Sequence, residues 1–186
     1  MASAIVGGPI DIHSGGEDLR FPHHENEIAQ AEAYYHQSCG CNFQWVNYFL
    51  HSGHLDIKGR KMSKSLKNFK TIKEELQDIS ARQMRLLFVL QNWERRISYS
   101  DSAKEELRAR ESHVVNFLAN MHAALRSVSG DASAPLRWGE AEQALQRALD
   151  EAHDKVHERL LDSIDTRGAM DAISTLIRSA HSYLDQ

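Results

Sequence analysis

The hydrophobic pattern of this 186-residue chain changes near Thr71, and this change restricts its fold more than any other feature. Before Thr71, apolar residues occur in short β-branched runs broken by glycine and proline, which predicts strands and turns. After it, apolar residues recur every three or four positions over long stretches, which predicts amphipathic helices. We therefore expect an α/β region that is followed by a mostly α-helical bundle.

The first part of the chain predicts a small number of short elements. A strand is predicted from Ile5 to His13, with a glycine-rich exit. Pro22 suits the first turn of a helix, where its missing N–H costs nothing, and we expect this helix to run to about Gln37. Residues 43–50 predict a strand, with a short helix as the alternative. Residues 55–60 resemble a small hairpin.

Capping residues mark where the helices of the second part begin. Two pairs have the spacing of a capping box: Thr71 with Glu74, and Ser80 with Gln83. A later helix is predicted to begin at a cap formed by Asp165 or Thr166. Residues 129–135 have the composition of a linker. We expect three apolar helix faces to pack on each other; they begin at Leu107, Trp138 and Met170 and include Leu125, Leu149, Leu160 and Ile177.

Composition and charge exclude several classes of protein. With 22 basic and 26 acidic side chains, the net charge of −4 excludes a uniformly basic nucleic-acid coat. No stretch approaches the ~18 apolar residues of a membrane span. The two cysteines, Cys39 and Cys41, cannot form a disulfide framework, and we interpret them as surface thiols. These features predict a protein of a reducing compartment, the cytoplasm, without a membrane partner.

A strongly basic segment runs from Lys58 to Lys73, with seven cationic side chains and no anionic one. Its centre is Lys61-Met62-Ser63-Lys64-Ser65, in which two lysines flank a serine. Such a loop can close over a triphosphate, and its mobile ammonium groups can neutralise charge as pyrophosphate leaves. The alternative is a solvated basic loop, but this particular pentamer favours a nucleotide-binding loop. The chain has no Gly-x4-Gly-Lys-Ser/Thr phosphate loop.

Histidines are concentrated near the start of the chain, where six of the eleven occur in the first 54 residues. His23 and Glu27 are four positions apart, so on a helix both lie on one face. An imidazole and a carboxylate at this spacing can hold a divalent ion, and zinc is the usual choice for such donors. The alternative is a solvated contact. His24 is expected to be a packed or hydrogen-bonded residue.

Taken together, residues 11–27 and the Lys61–Ser65 pentamer closely resemble the cysteinyl-tRNA synthetase family in its eukaryotic cytoplasmic form. The resemblance is dense over residues 1–100 and weaker beyond them. It implies a class I synthetase that uses ATP, with Mg²⁺, to activate cysteine and then transfers the cysteinyl group to tRNA(Cys). It also implies that this chain has the second half of a Rossmann-type catalytic domain, followed by a mostly α-helical bundle.

The resemblance also implies roles for individual residues: His23 and Glu27 as two of four zinc ligands, His13 in the amino-acid pocket, Gly16 and Asp18 near the adenosine, Lys61 and Lys64 as catalytic lysines, and Lys64, Ser63 and Ser65 as ATP contacts. The family's other two zinc ligands are cysteines that fall upstream of Met1, so the Zn²⁺ site is expected to be incomplete in this chain. The family's first nucleotide motif also has no equivalent here. We therefore expect the chain by itself to be inactive.

The same resemblance predicts three regions. Residues 1–70 correspond to the C-terminal half of the catalytic domain with its basic loop, residues 71–100 to a stem-contact connecting region, and residues 101–186 to the start of a helical tRNA-binding domain. Two alternatives remain open. One is a non-catalytic helical module that binds tRNA or a protein, and the other is a related ligase that joins cysteine to an amino sugar. The sequence does not predict an oligomeric state.

Overall fold

The computed structural model describes the following residues: 5, 7–40, 43–57, 59–63, 65, 67–130 and 138–185. Lys64, Cys41, the side chain of Cys39 and most of the predicted linker therefore lie outside the description. The chain forms two compact units. The first contains the described residues up to Phe69 together with Trp93–Ser98, and the second contains Lys70–Asn92 and the described residues from Tyr99 onward.

The first unit is built on two parallel strands. Strand β1 (Ile10–Gly16) pairs with strand β2 (Val46–Ser52), and His13 lies opposite Phe49. The strand predicted within residues 43–50 is thus confirmed. The predicted limits of β1 are wrong, because the strand begins at Ile10 and continues through both glycines. Pairing with β2 accounts for the extension, since a ladder satisfies backbone groups that a glycine-rich loop leaves to water.

The helix that connects the two strands begins later than predicted. A 3₁₀ turn (Glu17–Leu19) and a π-helical turn (Arg20–His24) follow β1, and helix α1 spans Glu25–Cys39. Pro22 therefore precedes the helix, because Phe21 has extended backbone angles and interrupts the helical path. At its other end the helix passes the predicted Gln37 and stops at Gly40, whose positive φ of 64° forms a left-handed cap.

A second, smaller sheet leads into the basic loop. Strands β3 (Leu55–Ile57) and β4 (Arg60–Lys61) form the predicted antiparallel hairpin. Gly59, with a φ of 72°, lies at the turn between them, where a positive φ suits glycine. Strand β5 (Ile97–Tyr99) lies on the other side of β3, so the strand order is β4-β3-β5.

The second unit is helical. Its helices are α2 (Ile72–Glu75), α3 (Ala81–Val89), α4 (Asp101–Gly130), α5 (Glu140–Leu161) and α6 (Thr166–Leu184). Both predicted capping boxes are confirmed, since Thr71 and Ser80 each exchange bonds with the residue three positions later. Of the two candidate caps for α6, Asp165 is the one used, and its carboxylate accepts a bond from the Gly168 N–H at 2.9 Å. None of the described helices is both long and apolar enough to cross a bilayer.

The core of the second unit contains Leu87, Leu90 and Leu107, and Leu107 is completely buried. The prediction that all three apolar faces pack on each other is wrong in part, because Leu125 is 64% exposed and Trp138 is 65% exposed. At 1.5 Å per residue, the 30 residues of α4 extend about 45 Å, whereas the 19 residues of α6 extend only about 28 Å. The longer helix therefore extends beyond its partner.

We expect Asp165→Ala to destabilise the protein by ~1 kcal/mol, because the first turn of α6 loses its side-chain cap. The matched variant Asp165→Asn keeps an oxygen acceptor and should stay within a few tenths of a kcal/mol of the wild type. Thermal denaturation followed by circular dichroism measures both. Equal destabilisation by the two variants would show that the charge of Asp165, rather than its cap, is what matters.

Candidate functional site

One carboxylate at the start of α1 meets two of the predicted site histidines. Glu27 Oε2 lies 2.8 Å from His13 Nε2, and Glu27 Oε1 lies 3.3 Å from His23 Nε2. His13 comes from β1, whereas His23 precedes α1 and lies on the same helical face as Glu27. The predicted proximity of His23 and Glu27 is present, and the fold adds a residue fourteen positions away.

His24 is the buried member of this cluster, with 3% of its surface exposed. Its Nδ1 lies 2.8 Å from Nε2 of His51, and its ring centroid lies 4.4 Å from that of His13. Burial, and then the nearby charge of His13, lower the pKa of His24, so the neutral imidazole is favoured. The packed and hydrogen-bonded state predicted for His24 is therefore observed.

Nitrogen and oxygen donors converge at this point. Ligand atoms of His13, His24 and Glu27 all lie within 4.8 Å of one another. Neutral imidazole and carboxylate are donors that zinc accepts, so the residues present suit this ion. Gly15 keeps the cluster open, because a Cβ at that position would lie 2.9 Å from Cε1 of His24. Aromatic rings flank it on one side, since the ring centroids of Trp45 and Phe49 each lie 5.6 Å from that of His13.

A second charged cluster lies where β1 ends. Lys61 Nζ is 2.8 Å from Asp18 Oδ2, and His54 Nε2 is 3.5 Å from Asp18 Oδ1. The hydrogen bond from Lys61 lowers the pKa of Asp18 against a smaller opposing effect of desolvation. Glu17 binds Arg96 Nε at 2.9 Å beside it. Asp18 and Lys61, both predicted to lie near the nucleotide, are thus brought into direct contact.

The basic loop follows β4 and is held at its base. Met62 N–H donates to the carbonyl of Leu55 at 2.9 Å, and the hydroxyls of Ser63 and Ser65 lie 3.1 Å apart. Gly16 lies close to Asp18, since a Cβ on this glycine would be 2.7 Å from Asp18 Oδ1. The position of Lys64 is not among those described.

Sequence reasoning did not single out His51, His54 and Arg96, which lie at these two clusters, or Asn68, which contacts the backbone of the basic loop. The two histidines were visible only as part of the local histidine excess. In the parallel pairing of β1 and β2, Gly15 lies opposite His51. Gly15 also lies next to His24, so this register brings His51 close to His24. Arg96 lies 79 positions from its partner Glu17, and no local pattern predicts such a pair.

The architecture of this chain is shared with solved structures of aminoacyl-tRNA synthetases. The LeuRS–tRNA–LeuAMS ternary complex of Agrobacterium radiobacter K84 aligns with 96% of this chain and 23% of its own chain, at a TM-score of 0.74 and 21% identity. Methionyl-tRNA synthetase of Mycobacterium tuberculosis with methionyl-adenylate covers 95% of this chain and 34% of its own, at a TM-score of 0.65 and 24% identity. The predicted α/β fold with a helical bundle is therefore the fold of class I synthetases.

Sequence comparison assigns the family. The model described as "tRNA synthetases class I (C) catalytic domain" matches residues 1–109, and the chain belongs to this family. Over 99% of its length the chain is 45% identical to the cytoplasmic cysteine–tRNA ligase of Dictyostelium discoideum and 46% identical to that of Drosophila melanogaster. It covers 27% and 24% of those two proteins, so it spans about a quarter of the length of the relatives it matches.

Proposed function

We propose that this chain is part of a cytoplasmic cysteine–tRNA ligase, which activates cysteine with ATP and Mg²⁺ and then transfers the cysteinyl group to tRNA(Cys). The observation that carries the proposal is the identity of about 45% to cysteine–tRNA ligases over nearly the whole chain. The convergence of His13 and His23 on Glu27 supports it, because imidazole and carboxylate are donors that zinc accepts.

In this proposal His23 and Glu27 hold zinc, and His13 lines the amino-acid pocket beside them. Bound zinc would supply a soft ion that prefers a thiolate to a hydroxyl oxygen, which separates cysteine from serine. A pocket whose binding depends on a zinc–thiolate contact discriminates against serine, which has no thiolate, far better than an apolar pocket does.

The second cluster is proposed to bind ATP. Gly16 and Asp18 would face the adenosine, while Lys61 and Lys64 would neutralise the phosphate charge that develops as pyrophosphate leaves. Ser63 and Ser65 would contribute hydroxyl donors. The contact between Asp18 and Lys61, at 2.8 Å, supports this proposal, because it joins a residue assigned to the adenosine with a lysine assigned to the phosphates.

We also propose the three-region division for the complete enzyme. Residues 1–70 would contribute the C-terminal half of the catalytic domain, residues 71–100 the connection to the tRNA stem, and residues 101–186 the start of the helical tRNA-binding domain. The net charge of this last region, 10 basic against 15 acidic residues, predicts that its contacts with tRNA are confined to a small part of its surface.

We expect the purified 186-residue chain to show no cysteine-dependent ATP–pyrophosphate exchange above a Lys64→Ala control, because it corresponds to about a quarter of the relatives' length. The same assay on the Dictyostelium enzyme, with its matching segment replaced by this chain, should restore exchange with cysteine but not with serine. Exchange by that chimera should fall by at least ~100-fold in its Lys64→Ala version. A folded chimera that exchanges equally with cysteine and serine would contradict the proposal.

A further inference from the structure

Asn68 joins the two ends of the basic loop through a single side chain. Its Nδ2 donates to the carbonyl of Lys61 at 3.1 Å, and its Oδ1 accepts from the Ser63 N–H at 3.0 Å. Both partners lie on the N-terminal side of Lys64, whereas Asn68 lies on its C-terminal side. The carboxamide therefore ties Asn68 to the backbone of Lys61 and Ser63 at the start of the loop.

We propose that Asn68 is a positioning residue for nucleotide binding, which holds the loop backbone in the geometry that presents its lysines to phosphate. This inference rests on the proposed ATP-binding role of the loop. Asn68 acts through the backbone of Lys61 and Ser63 and has no proposed contact with ATP. Neither the family match nor the relatives' names assign it a role.

The chemistry of the carboxamide explains why asparagine suits this position. One planar group offers a donor and an acceptor together, so it can bind a carbonyl and an N–H of the same segment. Lys67, with a positive φ of 53°, directly precedes Asn68 and lies in a turn. The hydrogen bond from Met62 N–H to Leu55 anchors the other end of the loop on β3.

The neutrality of the carboxamide matters as much as its geometry. The segment from Lys58 to Lys73 has seven cations and no anion, so its like charges repel and favour an open loop. A carboxylate at position 68 would restrain the loop but would also compete with phosphate for the ammonium groups. The carboxamide restrains the backbone and adds no further negative charge to a loop whose Lys61 already pairs with Asp18 at 2.8 Å.

Hydrogen exchange at the Ser63 amide tests the contact directly. We expect Asn68→Ala to raise its exchange rate about fivefold to tenfold, the effect of losing one ordinary hydrogen bond. Asn68→Asp keeps an acceptor and should retain the protection of Ser63. Asn116→Ala, an exposed asparagine on α4, is the matched control and should leave the rate unchanged. Equal exchange in the wild type and Asn68→Ala would overturn the inference.

MgATP titration of the same variants, placed in the Dictyostelium chimera described above, tests the positioning role. We expect Asn68→Ala to weaken binding about tenfold, and Asn68→Asp to weaken it as well despite its intact Ser63 protection, because its charge competes for the lysines. Faster Ser63 exchange with unchanged MgATP affinity would show a purely structural role and overturn the inference. Absence of MgATP binding by a folded chimera that carries the wild-type segment overturns the nucleotide role of the loop itself, whereas unchanged Ser63 exchange overturns only the role of Asn68.

Discussion

Lys104→Met should lower the free energy of unfolding of the helical unit by roughly 3–5 kcal/mol, because it leaves a buried carboxylate without its principal cation. Lys104 is 4% exposed and Glu75 is 6% exposed. The Lys104 Nζ lies 2.6 Å from Glu75 Oε1 and 2.5 Å from Asp78 Oδ2. Urea denaturation at neutral pH, monitored by circular dichroism, measures the change.

The acid dependence of stability should change in the same variant. Burial opposes ionisation of Glu75, but Lys104, Tyr99 and Lys70 outweigh it and lower its pKa from 4.5 to about 2. A carboxyl whose pKa is lowered on folding stabilises the protein above its unfolded pKa, and this contribution is lost as the pH falls through the folded value. The wild type should therefore lose stability from Glu75 between about pH 4.5 and pH 2. Lys104→Met should lose much less over this range.

Two further variants separate pairing from packing. Glu75→Leu combined with Lys104→Met replaces the ion pair with apolar groups, and it should recover most of the stability lost by Lys104→Met alone. Lys73→Met removes an exposed lysine of α2 and should stay within about 0.5 kcal/mol of the wild type. If Lys104→Met costs no more than Lys73→Met, the buried pair does not stabilise the unit.

Glu27→Ala should weaken zinc binding by at least ~100-fold, because it removes the carboxylate on which His13 and His23 converge. Competition with a chromophoric chelator measures zinc affinity directly, without depending on enzyme activity. Cobalt substitution provides a second readout through the visible spectrum of the bound ion, which should be lost in the same variant.

Glu25→Ala is the matched control for zinc binding. Glu25 is an exposed glutamate in the first turn of the same helix and has no described contact with the histidine cluster. We expect the wild-type affinity to be retained in this variant. Equal zinc affinity in Glu27→Ala and Glu25→Ala would contradict the proposed metal site, whereas equal losses in both would point to a general effect of charge on α1.

Local chemistry made several features predictable. The capping boxes at Thr71 and Ser80 were predictable because cap and partner are three positions apart and bond through their own backbone. The pairing of His23 with Glu27 followed from the helical spacing of four. The limits of β1 and the start of α1 were predicted wrongly, because strand pairing and the turn around Phe21 override glycine and proline preferences.

The amino-acid sequence by itself therefore determined the two capping boxes, the basic loop and the motifs that carry the family resemblance, since each depends on residues close together in the chain. Only the tertiary structure decided that His13 joins Glu27, that Asp18 pairs with Lys61, and that Lys104 is buried against Glu75. These contacts join residues 14 to 43 positions apart. They form because strand register and helix packing bring the residues together, and no local spacing specifies that arrangement.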